Sequence, residues 1–185
     1  MNRIVAVFLF VSSPFSLLQN QEDKMEEFNI ITTAFKEGEG IPSKYTGEGE
    51  DVSPPFEWTG VPGGTKSFGL ICLDPDAPPG TWVHWILYDL PGDSVSLEEG
   101  VLKTETLDNG ARQGACWGVD SFSRVGYYGP FPPSGHGWHR YYFTLYALEV
   151  DSLGLAPKAE WKQVERAMEG HVLGKAGVMG KYKRD

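Results

Sequence analysis

Tyr141-Tyr142-Phe143-Thr144-Leu145-Tyr146-Ala147-Leu148 decides the fold class. Side chains alternate across a strand, so Tyr141, Phe143, Leu145 and Ala147 share one face, and Tyr142, Thr144, Tyr146 and Leu148 the other. Both sets are largely apolar, which predicts a central strand covered on two sides. Shorter runs of the same kind lie on either side of it in the chain: Phe28 to Phe35, Phe56 to Trp58, Ser67 to Leu73 and Trp82 to Leu90. Clusters drawn from 23 Gly and 13 Pro separate them, more than a helical bundle needs and suited to turns and rigid loops. One amphipathic helix stands out after Pro157, where Trp161, Val164, Met168 and Val172 recur at three- and four-residue steps. The pattern ends it near Gly174, with Val178 to Lys183 returning as an extended tail. The expected architecture is mainly β: an antiparallel β-sandwich with a C-terminal α-helix packed on it.

The rest of the composition agrees. A chain of 185 residues, 41% hydrophobic, with 10 Phe, 8 Tyr and 6 Trp, has ample material for one packed core. Its 16 Lys and Arg against 25 Asp and Glu give a formal charge of -9, which argues against nucleic acid and against adhesion to anionic lipid surfaces. There is no basic amphipathic helix either, so no stable membrane insertion of the folded domain is expected. Two cysteines make no disulfide framework and no metal-finger spacing. Cys72 falls in a buried strand, whereas Cys116 reads as part of a polar loop.

Residues 1–24 differ in character from the rest of the chain. A short basic start, Met1-Asn2-Arg3, precedes an apolar stretch from Ile4 to Leu18 of signal-peptide length, without a good small-residue cleavage site. Translation from Met25 would make the protein cytoplasmic, and a working signal would export it to the periplasm or beyond. In either case the fold is expected to occupy residues 25–185.

Two loops carry the chemistry. Asp74-Pro75-Asp76-Ala77-Pro78 comes after one strand and leads on to Trp82-Val83-His84-Trp85; Gly129-Pro130-Phe131-Pro132-Pro133-Ser134-Gly135-His136-Gly137-Trp138-His139-Arg140-Tyr141 leads into another strand. Proline stiffens both, and rigid loops at strand ends are where a polar site is most readily preorganised. These segments, with Ser53-Pro54-Pro55-Phe56-Glu57-Trp58, Val61-Pro62-Gly63-Gly64-Thr65-Lys66-Ser67 and Met179-Gly180-Lys181-Tyr182, resemble the phosphatidylethanolamine-binding protein family, in its prokaryotic, Raf-kinase-inhibitor-like branch. The resemblance runs from Phe28 to Tyr182 and is specific through the order and spacing of the motifs. It implies a β-sandwich with a small pocket for an anion or phosphorylated headgroup, lined by Asp74, Asp76, His84, Pro132, Pro133, His139 and Tyr141. It also implies a kinase or serine peptidase as partner. Cys116 to Val125 departs from the family pattern as an insertion that alters the pocket entrance.

The residue types suit that chemistry. His84, His139 and Tyr141 can donate to phosphate oxygens, and the carboxylates can hold an imidazole N–H or receive an ammonium, so phosphoethanolamine would satisfy both signs. Imidazolium formation predicts affinity that rises as pH falls from about 8 to about 6. His136 reads as a surface loop residue. The alternative is a hydrolytic enzyme using the His/Asp pocket, with Ser134 as nucleophile. No G-x-S-x-G elbow supports it, the aspartate loop fails the EF-hand pattern, and His136-x-x-His139 lacks the zincin glutamate. The expectation is therefore a binding protein with no catalytic residues, metal or cofactor.

Overall fold

The computed structural model describes residues 26–185, and the expectations for residues 1–24 lie outside the described residues. In chain order the strands are β1 (Asn29–Ile31), β2 (Phe56–Thr59), β3 (Ser67–Asp74), β4 (Trp82–Pro91), β5 (Ser96–Leu97), β6 (Arg112–Gln113), β7 (Ala115–Cys116), β8 (Arg124–Val125), β9 (His139–Leu148) and β10 (Val172–Tyr182). The helix α1 (Trp161–Met168) lies between the last two.

Three antiparallel sheets form: β1-β2-β5, β10-β9-β3-β4-β6 and the ribbon β7-β8. The first two make the sandwich. Ile30, Phe56, Trp58 and Leu97 from the small sheet meet Phe68, Leu70, Trp85, Leu87, Phe143 and Leu145 from the large one in a single buried cluster. The far face of the large sheet carries Ile71, Val83, Ile86, Tyr88 and Leu148, and α1 covers it with Val164 and Met168. Full burial of each such side chain is worth about 1.5–3 kcal/mol, which is what holds so short a helix in place. At its N-terminus Glu160 caps the helix, and the Gln163 side chain accepts from the Glu160 N–H. No helix among the described residues is long and apolar enough to cross a membrane.

Two local expectations are corrected. The strand from Tyr141 is second from the edge rather than central: Tyr142 stays 37% exposed, and Thr144 and Tyr146 are half-buried. The strands buried on both faces are β3 and β4, because the helix lies over them and reaches β9 only near Leu148. The helix also stops at Met168 rather than near Gly174. Gly170 takes a left-handed backbone (φ 80) and the His171 N–H closes the turn on the Met168 carbonyl. Val172, four residues after Met168, therefore opens β10, which pairs along all of β9 from Val172–Leu148 to Tyr182–His139.

Candidate ligand-binding site

Where β3 passes into β4, the register places His84 apart. Cys72 pairs with Trp85 and Leu73 with Val83, so His84 is the extra residue of a bulge that breaks the ladder one step before Asp74. On β9, His139 and Tyr141 are two residues apart and so face the same side. The loop before them is pinned from outside: the Gly129 N–H donates to Asp51 (2.7 Å), the Gly47 N–H to the Pro130 carbonyl (2.9 Å), and Arg184 to the Pro132 carbonyl (3.2 Å).

Together these elements enclose a cavity of about 310 Å³. Of the residues expected at the site, Asp74, His84, Pro132, Pro133, His139 and Tyr141 line it. Asp76 does not. Its carboxylate takes the Arg140 guanidinium through two bonds (2.8 and 2.7 Å) and the Arg140 backbone N–H (2.9 Å), and those bonds hold its pKa below the ordinary carboxylate value. It is a clasp between the two loops. Trp82, Trp117 and Phe131, which the residue pattern alone does not single out, supply much of the wall. Trp117 comes from the Cys116 to Val125 stretch, which is tied to β4 by backbone bonds between Trp117, Gly118 and Val83. Its ring stands perpendicular to His84 (centroids 5.4 Å apart) and carries the Arg124 guanidinium at 4.8 Å. The aromatic residue in that Gly-containing loop is the available signal.

The polar atoms fall into two groups. Asp74 (2% exposed) accepts the Nδ1–H of His139 (1% exposed) at 2.7 Å and the Asp76 N–H at 2.8 Å. Nε2 of His139 in turn meets Nδ1 of His136 at 2.7 Å, and His136 itself is exposed. Thus His136, expected to be a surface bystander, belongs to a line Asp74–His139–His136. Its signal in the sequence is the three-residue spacing, which suggests a metal pattern before it suggests a hydrogen bond; among the described residues no metal-holding cluster of His, Cys, Asp or Glu forms. The second group is His84 and Tyr141. The Tyr128 carbonyl accepts the His84 Nδ1–H (2.6 Å), which leaves Nε2 as the atom for the cavity. The Tyr141 ring packs against His84 at 5.1 Å, and its hydroxyl, fully buried, has no hydrogen-bond partner among the described residues. Burial and the nearby Asp74 charge raise the pKa of that phenol, so it remains a donor.

Burial pushes His84 below its ordinary value of 6.5, against the raising effects of the Tyr128 carbonyl and Asp74. The part of the expected pH dependence that rests on His84 therefore moves to more acidic solution. The same shift bears on stability. A histidine depressed in the folded state contributes stability that is complete above the unfolded value, about 6.5, and lost as pH falls through the folded one. Urea melts of wild type and His84→Gln should show wild type losing more stability between about pH 7 and about pH 5. Equal losses would mean that His84 is not depressed. Cys116 is also corrected: it is fully buried, its thiol donates to the Gly126 carbonyl (3.0 Å), and burial raises its pKa to about 12, so it is an inert core residue.

A two-sheet sandwich whose proline-stiffened loops close over a cavity lined by histidine, tyrosine and carboxylate is a defined class of β-protein. The chain belongs to the phosphatidylethanolamine-binding protein family, whose model matches residues 31–183. It is 49% identical to a UPF0098 protein of Aquifex aeolicus over 156 residues, 84% of this chain and 88% of that one. A UPF0098 protein of Methanothermobacter thermautotrophicus is also 49% identical, over 84% of this chain and 99% of its own. Among solved structures, the phosphatidylethanolamine-binding protein homolog CT736 of Chlamydia trachomatis superposes with a TM-score of 0.75 at 37% identity, covering 85% of this chain and 98% of that one. YbcL of E. coli gives 0.78 at 28% identity, covering 86% and 100%.

Proposed function

We propose that the cavity binds a small ligand through a phosphate or comparable anionic group, and that it does so stoichiometrically, without turnover. The observation that carries this reading is the Tyr141 hydroxyl: a buried donor with no hydrogen-bond partner among the described residues, on a side chain that lines the cavity beside His84. Leaving such a group unsatisfied costs about 1–3 kcal/mol, a cost that a ligand oxygen or ordered water relieves. The Asp74 carboxylate offers an acceptor for an ammonium on the same ligand, which makes phosphoethanolamine the natural first probe. Hydrolysis is the weaker reading because the Ser134 hydroxyl donates to the Asp185 carbonyl (2.6 Å) instead of facing an imidazole.

Titration calorimetry with phosphoethanolamine and with inorganic phosphate tests the reading, in wild type and in Tyr141→Phe. The variant should bind about tenfold or more weakly, one hydrogen bond to a charged group being worth about 1.5–3 kcal/mol. It should also be as stable as wild type in the absence of ligand, or more so, since an unpaired buried hydroxyl is gone. No binding of either probe to wild type, or release of phosphate or alcohol from simple esters, would overturn it.

A further inference from the structure

A cavity that takes an anion wants positive charge, and among the described residues no lysine or arginine lines this one. The nearby cations are engaged elsewhere, Arg124 on the rings of Trp117 and Tyr128 without lining the cavity. Arg140 is held by Asp76, Arg184 by Glu48 (3.0 Å), and Lys183 pairs with Asp185. Of the two imidazoles that line the cavity, His84 is disfavoured as a cation by its burial, which outweighs the bond from its Nδ1 to the Tyr128 carbonyl. His139 is different. Its Nδ1 faces the Asp74 carboxylate, its Nε2 faces an imidazole nitrogen, and a ring between two acceptors is the one that can carry two protons.

We infer, resting on the anion-binding reading above, that His136 is part of the binding machinery: it accepts the Nε2–H of a protonated His139, so that an anion entering the cavity meets an imidazolium held between Asp74 and His136. The tautomers make this work without movement of any side chain. In the neutral pair His139 donates from Nδ1 to Asp74 and accepts at Nε2 from the His136 Nδ1–H. A proton taken from water at the far nitrogen of exposed His136 lets the shared proton pass to His139 Nε2. His136 is left neutral, as acceptor, and the charge lies on the buried ring. The other ionisable neighbours are Asp74 and Asp76 from the loop after β3, His84 from β4, and Tyr141 and Arg140 from β9. On β10 and just beyond it, Tyr182 lies opposite His139, with Lys181 and Lys183 beside the Trp138 ring. Among the described residues only Asp74 bonds the imidazole pair, and Arg140 is neutralised by Asp76. His136 is thus a positioning residue that acts through His139. His136 is exposed and packs edge-on against His139, so a substitution at 136 removes little buried packing beyond that contact.

The test is proton uptake on binding inorganic phosphate near pH 7, from calorimetry in two buffers of different ionisation enthalpy. Wild type is compared with His136→Gln, whose amide oxygen still accepts, and His136→Leu, which covers Nε2 without accepting. Phosphate contributes its own protons, so the readout is the difference between proteins. Wild type and the Gln variant should take up more protons than the Leu variant, by up to about one, and their affinities should rise more steeply on acidification, by up to about tenfold per pH unit. Equal uptake in all three, or loss in Gln as large as in Leu, overturns the inference. Failure of wild type to bind phosphate would instead overturn the anion-binding reading beneath it.

Discussion

Asp74→Ala is expected to lower stability by about 3 kcal/mol and to abolish measurable phosphate binding. The carboxylate is almost fully buried and does two things at once. It accepts the His139 N–H, and it closes the turn that begins the Asp-Pro-Asp loop by accepting the Asp76 N–H. Removing it strands a buried imidazole N–H next to an apolar wall, and truncating one member of a buried pair typically costs more than the pair was worth. Asp74→Asn separates the two effects. Its amide oxygen can still accept from His139, so stability should fall by only about 1 kcal/mol, but no charge remains to hold an imidazolium. Urea denaturation and phosphate titration of both variants are the measurements. An Asp74→Ala protein as stable as wild type would mean that the Asp74–His139 bond is not held in solution.

The Asp74 and Asp76 pair also marks the limit of what the residue pattern discloses. In sequence the two are equivalent, each in an Asp-Pro or Pro-Asp step after a strand, and only the chain fold gives one to a buried histidine and the other to Arg140. His84 is legible as a residue of the cavity wall, but the bulge that sets it apart is not, since it depends on the register between β3 and β4. The sandwich itself is readable because period-two apolar runs and Gly/Pro breaks are local signals. The ranking of strands from centre to edge is not, because both faces of β9 look apolar while one of them is only partly covered. Val172 misleads for a related reason: it continues the helical spacing by chance, and a single glycine two residues earlier redirects the chain.

Gly129→Ala should produce the other large effect, and by space rather than backbone strain. A Cβ at this position would lie 2.1 Å from the Tyr45 carbonyl oxygen and 2.8 Å from the Thr46 Cα, both backbone atoms that cannot rotate away. Tyr45 is itself fixed, since its carbonyl accepts the buried Tyr127 hydroxyl at 2.6 Å. The added methyl must therefore push the proline loop off its support and stretch the bonds to Asp51 and Gly47. Overpacking of this kind costs up to about 3 kcal/mol. It also moves Phe131, Pro132 and Pro133, three residues of the cavity wall, and a misplacement of about 1 Å can lower affinity by about tenfold to a hundredfold. Gly110→Ala is the control. That residue has φ 87 but open space around it and no part in the cavity, so alanine should cost about 1 kcal/mol through backbone strain alone and leave phosphate affinity unchanged. Thermal melts and phosphate titrations of the two variants separate the mechanisms. If Gly129→Ala binds phosphate as wild type does, the contact with the Tyr45 turn does not set the position of the cavity wall.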